Sequence, residues 1–113
     1  MKKLVCKDKE ICTVYFADNF KDRLLGYMFR KKPHYEAILF KPCSSIHTFF
    51  MRFKLDVLFL DKDMVVIKKI ERLQNGKIAY EKKGYYVIEA EEGRFSDIEV
   101  GDRLKIEDFF KKS

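Results

Sequence analysis

The sequence predicts a mainly β protein of the α+β class, with about eight short strands in a compact, curled, barrel-like sheet and one helix. Aromatic residues are frequent, with 11 Phe, 6 Tyr and no Trp, and such side chains suit a packed, pleated surface. Short apolar runs recur between turn residues, which is typical of strands. One segment carries the start and stop signals of a helix. We expect the sheet to be antiparallel or mixed, and its strand order does not follow from the sequence.

The first two strands and the helix occupy the first third of the chain. Residues 4–6 and 11–17 read as short strands on either side of a polar turn. Asn19 can cap the helix that follows, because its side chain can accept a hydrogen bond from a backbone N–H of the first turn. Gly26 can end the helix in a left-handed conformation, and Pro33 marks the loop beyond it.

The remaining strands are predicted at residues 36–40, 55–61, 64–73, 77–80, 85–91 and 103–107. The strand at 55–61 is nearly all apolar, which is expected of a strand that is covered on both faces. Its Leu55, Val57 and Phe59 should be buried. A turn at 61–63 joins it to the next strand in a hairpin, and Asn75-Gly76 is a strong tight-turn signal.

Length and the absence of transport signals indicate one intracellular domain. The 113 residues, taken as a single domain over 1–113, suffice for one hydrophobic core. No apolar run approaches the ~18 residues of a membrane helix. The first residues do not form a signal peptide, so we expect a cytoplasmic protein with no membrane partner. Its three cysteines, Cys6, Cys12 and Cys43, are then expected to be free thiols.

Charge and amide content suggest an acidic partner and a heat-adapted source. The net charge of +6 favours an anionic ligand, although basic and acidic residues alternate along much of the chain, as they do on solvated surfaces. Charged residues make up 37% of the chain, whereas Gln occurs once and Asn twice. High Lys and Glu with few amides is the composition of thermophilic proteins.

Four segments in order resemble domain-of-unknown-function family 192. They read LGYMFR at 25–30, AILF at 37–40, IHTFFM at 46–51 and LDVLFLD at 55–61. The resemblance extends over residues 13–107 and includes GDRLKI near the end, which is similar to the family's last strand. It implies a compact, mostly β fold and no agreed activity. Tyr27 stands where the family usually has Leu, and His47-Thr48 replaces its Trp-Met-Lys-Asn-Thr form, so no role of that Trp or Asn is carried over.

Polar groups cluster unusually in the segment from Cys43 to Met51. This segment holds a thiol, two hydroxyls and the His47 imidazole before an apolar run, and loops on a rigid sheet commonly carry binding groups. Asp56 interrupts an apolar strand, so its carboxylate needs a partner, for which Arg30, Arg52, His47 or backbone amides could serve. We expect a non-catalytic binding module whose small polar recess takes an anionic small molecule or a peptide. The candidate ligand-binding residues are Arg30, His47, Thr48, Met51, Arg52 and Asp56.

An enzyme is the first alternative. Cys43 and His47 have the residue types of a nucleophile and its base, which would suit a small hydrolase or transferase. A buried, inert Cys43 is the competing interpretation. His47 and Asp56 can form a second pair, in which a carboxylate orients an imidazole. The alternative for Asp56 is a purely structural network.

A nucleic-acid-binding module is the second alternative. Phe49, Phe50 and Phe53 can stack on bases, and the nearby cations can contact phosphates. Those cations are Arg30, Lys31, Lys32, Arg52 and Lys54. The competing interpretation places these phenylalanines in the core. No metal or other cofactor is expected, because the His and Cys spacing is not zinc-like and the five glycines are isolated.

Overall fold

The computed structural model describes residues 1–108, except for the side chain of residue 20. These residues contain nine strands and one helix. In chain order they are β1 (Lys2–Cys6), β2 (Lys9–Phe16), α1 (Phe20–Leu25), β3 (Ala37–Phe40), β4 (Ser45–His47), β5 (Leu55–Leu60), β6 (Val66–Leu73), β7 (Ile78–Tyr80), β8 (Tyr86–Glu91) and β9 (Leu104–Asp108). All eight predicted strands are found with small shifts at their ends. The three-residue β4 was not predicted, because Ser-Ile-His is too short to show an alternating pattern.

Seven strands form one mixed sheet in the order β6-β5-β8-β3-β2-β1-β9. Its neighbouring strands are antiparallel except β2 and β3, which run parallel with Tyr15 opposite Ile38. The sheet curls until its two edges approach, where Val65 forms a β-bridge with Arg103. The backbone N–H of Leu104 also donates to the carbonyl of Met64 at 2.9 Å. The predicted curled, barrel-like and mainly β fold is therefore confirmed.

Each face of the curled sheet packs against a separate apolar core. The inner core draws side chains from seven strands, and its fully buried members include Leu4, Val14, Leu58, Ile88 and Phe95. The outer core lies between the other face of the sheet and the segments that cover it. Its buried members include Tyr27, Ile38, Val57, Phe59 and Val87.

Strand β5 confirms the prediction of burial on both faces. It lies between β6 and β8, and Leu55, Val57 and Phe59 are all 0% exposed. Its alternate residues belong to the two cores, with Leu58 in the inner core and Val57 in the outer core. A nearly continuous apolar run is the sequence that such a strand requires.

The helix begins and ends where its capping residues predict. Oδ1 of Asn19 accepts a hydrogen bond from the backbone N–H of Asp22 at 2.8 Å. Gly26 follows the last helical residue with a φ of 47°, a left-handed value that favours glycine. Its N–H donates to the carbonyl of Asp22 at 2.9 Å. These two caps confine α1 to six residues. Tyr27, in the turn after the helix, is fully buried in the outer core.

A small second sheet consists of β4 and β7, which pair antiparallel. The Asn75-Gly76 turn is present, but it leads β6 into this separate sheet instead of back along β6. Oδ1 of Asn75 accepts a hydrogen bond from the N–H of Met51 at 2.9 Å, and the N–H of Gly76 donates to the carbonyl of Thr48 at 3.0 Å. The turn therefore fastens the loop after β4.

Candidate functional site

A recess of about 190 Å³ opens on the outer side of the main sheet, between α1 and β4. Its walls combine apolar side chains with a guanidinium, a thiol, an imidazole and a carboxyl group. The residues that matter here are Arg23, Met28, Cys43, His47, Met51 and Glu89. They come from α1 and the turn after it, from the segment around β4, and from β8, so the recess exists only in the folded chain.

Glu89 is the buried acid of the recess. It lies on β8 in register with Ile38 of β3 and Val57 of β5, both of which belong to the outer core. The residue is only 3% exposed, and its carboxyl group lies close to Gly26 at the end of α1. Within residues 1–108 that carboxyl forms no hydrogen bond or ion pair with another residue. Its oxygens border the recess, where a ligand or water can reach them.

Burial determines the protonation of Glu89. Removing a carboxylate from water disfavours its charged form, and desolvation raises the pKa of Glu89 from 4.5 to about 8. At neutral pH the group is therefore mostly a carboxylic acid. It can donate one hydrogen bond and accept others, in a setting that has few competing polar groups.

Arg23 supplies positive charge at the rim of the recess. Its two terminal nitrogens donate to the carbonyls of Lys41 at 2.7 Å and Pro42 at 2.9 Å, which fastens α1 to the end of β3. A guanidinium has five N–H donors, so others stay available after these two bonds. The side chain is exposed and accessible to a ligand that enters from solvent.

Cys43 and His47 share the recess but do not form a nucleophile and base. The half-buried thiol of Cys43 donates to the backbone carbonyl of Ser45 at 3.1 Å. Desolvation raises the pKa of Cys43, which keeps the thiol protonated. Nδ1 of His47 accepts a hydrogen bond from the N–H of Phe49 at 3.3 Å, so the neutral ring carries its proton on Nε2.

Asp56 has a structural position away from the recess. Its carboxylate accepts hydrogen bonds from the N–H of Arg72 at 2.9 Å and the N–H of Gly93 at 2.8 Å. Arg72 has a φ of 53° where the β5–β6 register shifts, so Asp56 stabilises a strained bulge. The suggested pairs of Asp56 with His47, Arg30 or Arg52 are absent from the described residues, and backbone amides are its partners.

Thr48 is also structural. It is fully buried, and its hydroxyl donates to the carbonyl of Gln74 at 2.5 Å while accepting from the N–H of Lys77 at 2.9 Å. Arg30 and Arg52 are exposed and do not line the recess. Of the six predicted binding residues, the structure brings only His47 and Met51 to it.

Sequence reasoning missed Glu89 and Arg23. Glu89 had a usable signal, because its carboxyl group stands between the apolar residues Ile88 and Ala90 and lies on the same strand face as Val87. It could have been selected on the same ground as Asp56. Arg23 had no such signal, since an arginine on a short amphipathic helix is ordinarily a solvated side chain.

The core interpretation of the phenylalanines holds only in part. Phe49 and Phe50 are 41% and 61% exposed, so placing them in the core was wrong. Phe53 is half-buried and packs against the outer core. The reason is local, because Phe50 adopts a left-handed φ of 63° in the turn after Thr48, which directs its ring away from the sheet.

Among residues 1–108, no group of three or more His, Cys, Asp or Glu side chains is arranged to hold a metal ion. Within the same residues, no helix combines the length and apolarity that crossing a bilayer requires.

The fold is shared with solved structures of low sequence identity. A protein from Sinorhizobium meliloti 1021, described as a proposed transcription regulator, superposes with a TM-score of 0.77 at 21% identity, covering 93% of this chain and 91% of its own. A protein of unknown function from Novosphingobium aromaticivorans also gives 0.77, at 16% identity, over 92% of this chain and 82% of its own. At these identities the similarity concerns the fold alone.

Sequence comparison finds relatives that cover most of the chain. The UPF0127 protein of Pyrococcus furiosus is 39% identical, over 89% of this chain and 93% of the relative. That of Pyrococcus horikoshii is 38% identical, over 81% and 85% respectively. Relatives from this thermophilic genus agree with the heat-adapted composition. Residues 3–106 match the family model DUF192, described as "Uncharacterized ACR", which carries no assigned activity. As its resemblance to family 192 predicted, the chain belongs to the DUF192 family.

Proposed function

We propose that residues 1–113 act as one domain, a non-catalytic binding module whose recess takes a small anionic molecule or the end of a peptide. The observation that carries this proposal is Glu89, an acid only 3% exposed that borders the recess and whose carboxyl forms no hydrogen bond within residues 1–108. Because no group of residues 1–108 satisfies this carboxyl and its oxygens are open to the recess, a molecule that binds there can take up its hydrogen bonds.

A carboxylate on an apolar body is the ligand class that suits these walls. The neutral acid of Glu89 can donate to a carboxylate oxygen, and a hydrogen bond to an ionised group is stronger than a neutral one. Arg23 adds positive charge at the mouth, and the net charge of +6 attracts anions over longer distances. Met28 and Met51 provide adaptable apolar walls for the body of the ligand.

The state of the thiol supports binding over catalysis. A nucleophilic cysteine needs a thiolate and an adjacent base. Cys43 instead has a raised pKa and donates to a backbone carbonyl. The recess therefore offers recognition groups without an activated nucleophile.

Native mass spectrometry of protein purified from cells under gentle conditions tests the proposal. Three proteins are compared: the parent, Glu89→Leu, and the control Glu91→Gln, which changes an exposed carboxylate of the same strand. We expect the parent and the control to retain the same small-molecule mass, and Glu89→Leu to lose it. An equal added mass on all three proteins would place the ligand elsewhere, and no added mass on any protein would count against a tightly held ligand.

A further inference from the structure

Two exposed phenylalanines form a stacked pair beyond the recess. Phe29 and Phe50 are 59% and 61% exposed, and their ring centroids lie 5.1 Å apart with an interplanar angle of 23°. The backbone N–H of Phe29 donates to the carbonyl of Phe50 at 2.9 Å, which joins the two loops that carry the rings. Neither side chain lines the recess, so this pair is a separate surface feature.

The backbone holds both rings at an energetic cost. Phe29 and Phe50 have φ values of 65° and 63°, a left-handed conformation that is uncommon for residues other than glycine and a real outlier for bulky ones. Burial cannot compensate for this strain, because both rings lie largely in solvent. Strained residues cluster at sites of function, and large exposed apolar side chains mark interaction surfaces.

The segments that carry the rings are basic and contain no acid. Residues 29–34 and 49–54 include five cations and neither Asp nor Glu. The cations are Arg30, Lys31, Lys32, Arg52 and Lys54. All five are exposed, and within residues 1–108 none forms an ion pair. These two segments contribute five of the six net positive charges of the chain, so the excess is concentrated in them. One acid lies near their end, where the backbone N–H of Glu92 donates to the carbonyl of Lys54 at 3.1 Å.

We propose that this aromatic–basic patch, defined by Phe29, Phe50 and the five cations, binds single-stranded nucleic acid. Bases stack on exposed aromatic rings, while flanking lysines and arginines follow the phosphates, and such binding tolerates many sequences. The Phe29 and Phe50 rings are stacked at an angle of 23°, so a base that stacks on either of them extends the same stack. An anionic membrane would use the same charges, but stacked rings offer a flat face instead of separate side chains that insert among lipids.

Fluorescence anisotropy with labelled oligo(dT) and oligo(U) of twelve nucleotides tests the patch. We expect binding at 50 mM salt that weakens about 100-fold at 200 mM if all five cations contact phosphates, from a slope of about 0.7 per contact. Phe50→Ala should weaken binding about tenfold through loss of one stacked base, whereas Phe50→Trp should retain it. Lys31→Ala with Lys32→Ala should weaken binding and flatten the salt dependence.

Matched controls make the result decisive. Lys82→Ala with Lys83→Ala removes two exposed lysines from the turn before β8 and should leave affinity within about twofold. Circular dichroism should show an unchanged melting temperature for Phe50→Ala. Absence of binding at 50 mM salt would overturn the proposal, and so would equal affinity of the parent and Phe50→Ala. Binding to vesicles of phosphatidylserine that requires Phe50, without binding to either oligonucleotide, would assign the patch to membranes instead.

Discussion

Replacing Glu89 by glutamine should remove a pH-dependent loss of stability. The parent protein must keep an acid in the outer core, and desolvation raises the pKa of Glu89 from 4.5 to about 8. In the unfolded chain the same group ionises near its ordinary pKa. Between these two pKa values the unfolded state releases a proton that the folded state retains, so the free energy of unfolding falls as pH rises.

The magnitude follows from the two pKa values. Below pH 4.5 both states are protonated, and Glu89 costs nothing through ionisation. Each pH unit above this then destabilises the fold by about 1.36 kcal/mol, which gives about 3 kcal/mol at pH 7 and about 5 kcal/mol above pH 8. The glutamine side chain of the variant cannot ionise, so whatever its amide costs in the core is independent of pH. The difference between the two proteins should therefore grow between pH 5 and pH 8.

Urea unfolding at pH 5 and pH 8 measures this difference. We expect the parent to lose about 3–4 kcal/mol more than Glu89→Gln over that interval. The control Glu91→Gln, in which an exposed carboxylate is removed, should follow the parent. Parallel pH profiles for the parent and Glu89→Gln would refute the reasoning, because they would mean that Glu89 titrates equally in both states.

Three other predictions concern residues that sequence reasoning singled out. Asp56→Asn should lower the free energy of unfolding by about 1–3 kcal/mol, because the amide keeps one accepting oxygen and its NH₂ group cannot accept, so one of the two N–H donors loses its partner; Asp63→Asn, in an exposed turn, should change it by less than about 0.5 kcal/mol. Thr48→Val should cost about 1–3 kcal/mol, since the N–H of Lys77 and the carbonyl of Gln74 lose their shared hydroxyl. Cys43 in the folded parent should react with iodoacetamide at pH 7 no faster than free cysteine, because its pKa is raised; rapid, selective alkylation would restore the nucleophile interpretation.

Local signals explain most of what could be predicted about the fold. Asn19 and Gly26 mark the two ends of the helix. Asn19 does so through a hydrogen bond that its side chain accepts from the backbone of the first turn, and Gly26 through its left-handed conformation. The apolar run of β5 predicts burial on both faces, because a strand with one face in water would alternate apolar and polar residues. In each case the cause lies within a few residues of its effect.

Long-range pairing explains what could not be predicted. Segment 77–80 is a strand, but its partner is β4, which lies much earlier in the chain, and nothing in either segment identifies the other. The recess also depends on residues that are far apart in the sequence, because Arg23 lies on α1 and Glu89 on β8, and only the folded chain brings both to its walls. Phe50 was placed in the core by its residue type, whereas its left-handed backbone turns the ring to solvent.

Methyl NMR with benzoate as a carboxylate probe tests most directly whether the recess is a binding site. The chain has four methionines, of which Met28 and Met51 line the recess, while Met1 and Met64 lie outside it and serve as internal controls. We expect saturable shifts of the Met28 and Met51 methyl signals at pH 6.5 in the parent, and none in Glu89→Leu. Shifts confined to Met1 or Met64, or no shift of the recess methyls at millimolar benzoate, would contradict a binding role for the recess.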